Sequence, residues 1–75
     1  MIKILFKQRL AEKSLRERRT ITMHDVTEAT GISRATLTRI ANIPGYNTNT
    51  YTLDLLCNYL DCEPGELLEL RNTSE

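Results

Sequence analysis

A glycine separates two helix-start signals in the middle of this 75-residue chain. Thr22 is a favoured N-cap residue, and Asp25, three positions later, can close a capping box with it. Gly31 follows within nine residues, and glycine ends helices because it adopts a left-handed backbone without steric cost. Ser33 is again a residue that favours an N-cap. The spacing therefore predicts two short helices, joined by a tight turn and together spanning about 22–42.

The N-terminal segment carries two competing patterns. Residues 3–18 are rich in Leu, Ala, Glu, Lys, Gln and Arg, which favour a helix. Ile2, Ile4 and Phe6, however, alternate as the residues of a short strand do. The sequence therefore predicts a first helix here and leaves residues 2–6 open between strand and helix.

Two further helices are predicted in the C-terminal half. A Pro-Gly pair breaks the chain at 44–45, and leucines resume a helical spacing from about residue 51. Pro64 favours the first turn of a fifth helix, which we expect to extend to about Leu70. Residues 71–75 are expected to fray. The whole chain is thus predicted to be one all-α, compact five-helix domain, with a short N-terminal strand as an open alternative.

The net charge of zero conceals an uneven distribution of charge. Residues 1–41 contain nine basic and four acidic side chains, whereas residues 42–75 contain one basic and six acidic ones. A chain divided in this way can present a basic face to a polyanion while its other end is repelled from it. The same distribution also fits a solvated surface without a charged partner, so charge alone does not decide between the two.

Several classes of function find little support in the residues. No apolar run is longer than Ile4–Phe6, which is too short for a membrane span or a signal peptide, so we expect a cytoplasmic protein. The single histidine, His24, has no serine or cysteine at a spacing typical of catalysis, so we expect that the protein is not an enzyme. Cys57, Cys62 and His24 would supply only three of the four ligands that structural zinc requires. We therefore expect both cysteines to pack against the core, and we expect neither a metal nor a cofactor.

The outer face of the helix at about 33–42 carries side chains suited to the major groove of DNA. Arg39 can donate two hydrogen bonds to guanine, and Asn42 can pair with adenine through two hydrogen bonds. Thr38 can meet a thymine methyl group, and Ala35 leaves room for close approach. The same face also fits the surface of a simple helical packing unit, which is the alternative at this point.

Two blocks of the sequence resemble a known family. Residues 22–40, TMHDVTEATGISRATLTRI, resemble the helix-turn-helix of the Cro/Xre group, the lambda-repressor-like DNA-binding domains. Residues 52–68, TLDLLCNYLDCEPGELL, are similar to the last two helices of a compact subfamily of these regulators. The blocks occur in the same order as in the family. The resemblance implies an all-α five-helix domain whose third helix lies in the major groove of operator DNA.

The resemblance also implies which residues contact DNA. The base-reading candidates that it assigns are Ser33, Arg34, Ala35, Thr38, Arg39 and Asn42. Phosphate contacts are implied for the start of the second helix and for the loop after the third. With Arg19 from the basic link 16–19, the phosphate candidates are Thr22, Arg19, Tyr46, Asn47, Thr48 and Asn49. Arg16, Arg18 and Arg19 of this link either contact the DNA backbone or simply favour a helix C-terminus.

The sequence departs from the family at two positions of the helix pair. Thr27 stands where the family usually has alanine at the helix crossing, and Thr30 where it usually has leucine. Both side chains can pack through a methyl group, with a somewhat looser turn or a shifted helix pair as the expected consequence.

The expected function is a stand-alone, sequence-specific regulator of transcription that binds double-stranded DNA. A repressor is expected rather than an activator, because little of the chain remains for another domain, and no small-molecule effector is evident. One recognition helix makes few base contacts, so we expect a homodimer on a palindromic operator with half-sites roughly 34 Å apart. The dimer would form through Leu67, Leu68 and Leu70 or through Ile2–Phe6. The alternative is a protein-binding module, such as an antitoxin or anti-regulator, with the same fold.

Overall fold

The computed structural model describes residues 1–71, in which five helices accompany a two-stranded sheet. In chain order the elements are β1 (Ile2–Ile4), α1 (Phe6–Glu17), α2 (Met23–Thr30), α3 (Arg34–Asn42), α4 (Thr50–Leu60), α5 (Pro64–Leu67) and β2 (Leu68–Leu70). The predicted five-helix architecture is confirmed, and the short N-terminal strand is present. Among these residues no helix is long and apolar enough to cross a lipid bilayer.

The helix-start signals act where the sequence places them. Thr22 Oγ1 accepts a hydrogen bond from the N–H of Asp25 at 3.2 Å, and the Asp25 carboxylate accepts one from the N–H of Thr22 at 2.9 Å. Gly31 adopts a φ of +80° and ends α2, as a left-handed residue does. Ser33 Oγ then accepts from the N–H of Thr36 at 3.1 Å and starts α3. The predicted helix pair is therefore confirmed.

Strand β1 resolves the ambiguity at the N-terminus and shortens the predicted fifth helix. β1 pairs antiparallel with β2, with Ile2 opposite Leu70 and Ile4 opposite Leu68. The expectation that α5 extends to about Leu70 is wrong, because α5 ends at Leu67 and the chain then enters β2. One turn of helix gains little by elongation, whereas the extended chain gains backbone hydrogen bonds from β1.

Arg71, the first of the residues 71–75 that are expected to fray, is hydrogen bonded to Met1. The N–H of Arg71 donates to the carbonyl of Met1 at 2.7 Å, and the terminal amino group of Met1 donates to the carbonyl of Arg71 at 3.1 Å. This pair of hydrogen bonds extends the β1–β2 ladder by one step. Residues 72–75 lie outside the part of the chain that the structure describes.

The apolar stripes of the helices meet in one core. Helix α2 packs against both α3 and α4, and α1 also contacts both of these helices. Ile21 and Val26 are buried together, as a hydrophobic staple at the start of α2 requires. The buried apolar side chains are Phe6, Ile21, Val26, Ile32, Leu37, Ile40, Leu56, Leu60 and Leu67. Because Leu37 and Ile40 hold one face of α3 in this core, the opposite face is left to solvent.

Two basic residues of α1 make contacts that stabilise the packing of α1 against α4. Lys13 is 8% exposed, and its ammonium lies 2.7 Å from a carboxylate oxygen of Glu17 and 4.8 Å from the ring centre of Tyr59. Arg16 donates a hydrogen bond to the carbonyl of Leu60 at 3.1 Å, at the C-terminus of α4. A cation there is favoured by the helix dipole. Both side chains therefore join α1 to α4.

Candidate nucleic-acid interface

The turn between α2 and α3 is fixed by a residue that departs from the family pattern. The hydroxyl of Thr30 donates to the carbonyl of Val26 at 2.7 Å and accepts from the N–H of Ile32 at 3.1 Å. The N–H of Gly31 donates to the carbonyl of Thr27 at 2.8 Å. Polar groups that the end of α2 would leave unpaired are thus satisfied locally. The Thr30 hydroxyl therefore bonds the chain on both sides of the turn.

Thr27 behaves differently from Thr30. Its hydroxyl oxygen is buried and has no hydrogen-bond partner among residues 1–71. An unpaired buried hydroxyl costs free energy, on the order of 1–3 kcal/mol in proteins. The position in α2 that the family usually fills with alanine therefore carries a polar atom that the fold does not satisfy.

The outer face of α3 is exposed and basic. Arg34, Ala35, Thr38, Arg39 and Asn42 are all exposed, on the side of α3 opposite its buried residues. Neither guanidinium group of this helix forms an ion pair within the described chain, whereas four basic side chains elsewhere do: Arg9, Lys13, Arg19 and Arg71. The positive charge on α3 is therefore uncompensated, and an anionic partner would not need to displace a carboxylate.

Two hydroxyls on this face are already hydrogen bonded. Ser33 Oγ caps α3 and also donates to Thr36 Oγ1 at 3.0 Å. Thr38 Oγ1 donates to the carbonyl of Arg34 at 2.9 Å. The proton of each hydroxyl is thus engaged, and what each keeps for a base is acceptor capacity and, in Thr38, a methyl group. The other polar candidates on this face, Arg34, Arg39 and Asn42, have side-chain donors without a hydrogen-bond partner among residues 1–71.

The phosphate candidates at the start of α2 are partly neutralised. The Thr22 hydroxyl is hydrogen bonded in the capping box, and the Asp25 carboxylate places a negative charge at the first turn of α2. The hydrogen bond from the Thr22 backbone N–H holds the pKa of Asp25 below its ordinary value. Arg19 lies between two carboxylates, 3.1 Å from Glu17 and 3.8 Å from Asp25. A phosphate here would compete with carboxylates for the same guanidinium group.

The loop after α3 places the other phosphate candidates at the start of α4. Asn49 Oδ1 accepts from the N–H of Thr52 at 2.8 Å and caps α4. Tyr46 is half-buried against the core, Thr48 is half-buried, and Asn47 is exposed. Helix N-termini favour anions, and α4 has no acidic residue in its first turn, so its N-terminus is suited to an anion.

The thiols and the histidine lie outside this face. Burial raises the pKa of Cys57, and it raises the pKa of Cys62 to about 11, so both are protonated at neutral pH. His24 is exposed on α2, with Nε2 3.4 Å from a carboxylate oxygen of Glu28. In residues 1–71 there is no group of three His, Cys, Asp or Glu side chains placed to hold a metal ion.

One basic side chain beside α3 is absent from the candidates derived from the sequence. Lys3 of β1 lines a crevice of about 140 Å³ together with Asn42 and Ile43, at the C-terminal end of α3. The alternation of Ile2 and Ile4 is the only local signal, because it places Lys3 on the other face of a strand. Nothing in the sequence indicates which element that face meets.

Comparisons with known proteins agree with this geometry. The model of the Cro/C1-type HTH DNA-binding domain family matches residues 13–72. The chain is also 29% identical over 58 residues to YozG of Bacillus subtilis (strain 168), an uncharacterised HTH-type transcriptional regulator, across 77% of this chain and 69% of that protein. No solved structure matches the chain.

Proposed function

This chain belongs to the Cro/C1-type helix-turn-helix DNA-binding domains, and on that premise we propose that it regulates transcription by reading the major groove of an operator with α3. The observation that carries the proposal is the exposed face of α3. Arg34 and Arg39 lie there without a carboxylate partner among the described residues, together with the exposed amide of Asn42. Leu37 on the opposite side of the helix is fully buried and fixes its orientation.

Base recognition is assigned to the side chains of this face. Arg39 would fork onto O6 and N7 of guanine, and Asn42 would pair with N6 and N7 of adenine, each contributing about 1–3 kcal/mol of discrimination. Arg34, in the first turn of α3, is placed to contact either a base edge or a phosphate. Ala35 and Thr38 would offer methyl groups to thymine.

Phosphate contacts would position α3 without reading sequence. We assign the principal ones to the start of α4, where Asn47 is exposed and the first turn of the helix carries no acidic residue. Tyr46, Thr48 and Asn49 would support this site. Thr22 and Arg19 would contribute less, because Asp25 shares their surface.

A homodimer on a palindromic operator is proposed from the end of the domain that carries the sheet. Ile2 and Leu70 are cross-strand neighbours and are 55% and 79% exposed, beside a half-exposed Met1. Neighbouring exposed apolar side chains of this size mark association surfaces. Leu67, one of the residues expected in the interface, is fully buried in the core and does not belong to it. A small dimer that occupies promoter DNA would act as a repressor, because it would exclude other proteins from that DNA. We place this activity in the cytoplasm.

The alternative of a protein-binding module, such as an antitoxin or anti-regulator, rests on the same exposed leucines. Leu15 on α1 is 79% exposed, as Leu70 is. A matched pair of variants locates the interface of the proposed dimer. Leu70→Ser should convert the dimer to a monomer in sedimentation velocity, and Leu15→Ser should leave it intact. Dissociation by Leu15→Ser alone would move the interface to α1, and a wild type that stays monomeric with and without DNA would contradict the dimer.

The proposed function is tested by selection from a pool of randomised duplexes. The wild type should enrich an inverted repeat whose half-sites lie about one helical turn apart, with guanine and adenine at defined positions. Arg39→Ala should lose the enrichment at one of those positions. Enrichment of no sequence at low salt would overturn the proposal and would favour the protein-binding alternative.

A further inference from the structure

We propose that Lys3 contacts a DNA phosphate beside the C-terminal end of α3, which adds β1 to the DNA-binding surface. The inference rests on the proposed function, because it needs α3 in a groove of DNA. Its starting observation is the crevice that Lys3 shares with Asn42 and Pro44. A residue near the first end of the chain thus lies next to the last turn of the recognition helix.

Strand β1 holds Lys3 in this place through backbone hydrogen bonds on both sides. The N–H of Leu5 donates to the carbonyl of Leu67 at 2.7 Å, and the carbonyl of Met1 accepts from the N–H of Arg71 at 2.7 Å. Lys3 is therefore part of a rigid ladder. A contact made from a fixed backbone loses less conformational entropy than one made from a flexible arm.

The loop after α3 fixes the start of the strand as well. Gly45 has a φ of +72°, and a Cβ atom built there would lie 2.9 Å from Met1 Sδ. The Met1 side chain thus covers the backbone of Gly45 directly after α3. Because both ends of β1 are anchored, the distance from Lys3 to the end of α3 is set by the fold.

The charge of Lys3 has no partner in the described part of the chain. Its cross-strand neighbour is Glu69, but Glu69 forms an ion pair with Arg71 at 2.9 Å. Like the guanidinium groups of Arg34 and Arg39, the Lys3 ammonium therefore has no carboxylate within ion-pair distance among residues 1–71. Three such charges around one exposed helix favour a polyanion over a neutral surface.

A phosphate contact at this point would have a defined role. Base edges are read from α3, and contacts to the DNA backbone fix the register and the angle at which the helix enters the groove. Asn42 is the last base-reading candidate of α3, so an anchor beside it would hold the amide against its base. The competing role for Lys3 is purely apolar, with its alkyl stem covering the crevice.

The salt dependence of binding separates these two roles. Lys3→Met keeps an apolar stem and removes the charge, whereas Lys3→Arg keeps the charge. Arg9→Met is the matched control, because Arg9 lies beside α5, where it donates to the carbonyl of Glu66 at 2.8 Å. Dissociation constants would be measured between 50 and 200 mM salt on the duplex enriched in the selection, after thermal melting has shown each variant to be folded.

The slope of log K against log salt is negative, and loss of one phosphate contact makes it less steep by about 0.9. Over this fourfold range of salt, the ratio of wild-type to Lys3→Met affinity should change by about 3.5-fold. Lys3→Arg and Arg9→Met should keep the wild-type slope. An unchanged slope for Lys3→Met, or an equal loss in Arg9→Met, would overturn the inference.

These outcomes are distinguishable from failure of the proposed function. A wild type that binds its selected duplex, loses discrimination through Arg39→Ala and keeps its slope in Lys3→Met would refute the role of Lys3 alone. A wild type that binds no duplex would refute both.

Discussion

Replacement of Thr27 by valine should stabilise the protein, although the substitution lies inside the helix-turn-helix. The Thr27 hydroxyl oxygen is buried without a hydrogen-bond partner among residues 1–71. Its removal relieves a desolvation cost on the order of 1–3 kcal/mol. Valine and threonine have similar helix propensities and shapes, so neither term offsets this gain. The free energy of unfolding should therefore rise by about 1–3 kcal/mol.

The matched control is the same substitution one turn later. Thr30→Val removes a hydroxyl that is bonded to Val26 and to Ile32. It would leave the N–H of buried Ile32 unpaired, so it should destabilise the fold by about 1–3 kcal/mol. The two variants change the same atoms and should move stability in opposite directions.

Thermal and urea unfolding, followed by circular dichroism at a fixed protein concentration, measure both effects. For a domain of this size, 1 kcal/mol corresponds to a change in Tm of about 4–8 °C. Thr27→Val should melt at least about 4 °C above the wild type. A Tm equal to or below that of the wild type would show that the Thr27 hydroxyl is satisfied, and the reasoning would be refuted.

Three further outcomes follow from the structure. The pKa of Asp25 is lowered from 3.8, chiefly by the hydrogen bond from the Thr22 backbone N–H. Its ionised form therefore stabilises the fold above pH 3.8, and this stabilisation is lost as the pH falls through the lowered pKa. Acid unfolding of Asp25→Asn should be shallower in that range, and an acid profile identical to that of the wild type would contradict this. Gly45→Ala should lose about 1–2 kcal/mol in urea unfolding, because φ is +72° there, and unchanged stability would contradict the strain. Cys62, with a pKa of about 11 against an ordinary 9.0, should be alkylated at pH 8 about 100-fold more slowly than a cysteine peptide, and equal rates would contradict its burial.

The helix pair is predictable from the sequence because neighbouring residues determine it. The hydrogen bonds between Thr22 and Asp25 span three positions, and the left-handed turn needs only Gly31. The buried face of α3 follows equally from the spacing of Leu37 and Ile40. Caps, turns and helical periodicity are local properties, so they can be predicted without knowledge of the rest of the fold.

The features that the sequence does not reveal all depend on contacts between distant segments. Leu68–Leu70 continues a helical pattern, yet it forms a strand because β1 supplies its backbone partners. Lys13 is charged and would be expected at the surface, but Glu17 and the ring of Tyr59 make its burial tolerable. Lys3 lies beside Asn42 only because the sheet brings the start of the chain to the end of α3.

The effect of Arg39→Ala on discrimination between duplexes tests whether α3 reads base sequence. Fluorescence anisotropy at one salt concentration would give the affinities of wild type and variant for the selected duplex and for a scrambled duplex of the same composition. The wild type should prefer the selected duplex by at least about 10³-fold. Arg39→Ala should lose about 1–3 kcal/mol on the selected duplex and much less on the scrambled one. Equal losses on both duplexes would show that Arg39 contributes only charge and would contradict base reading by α3.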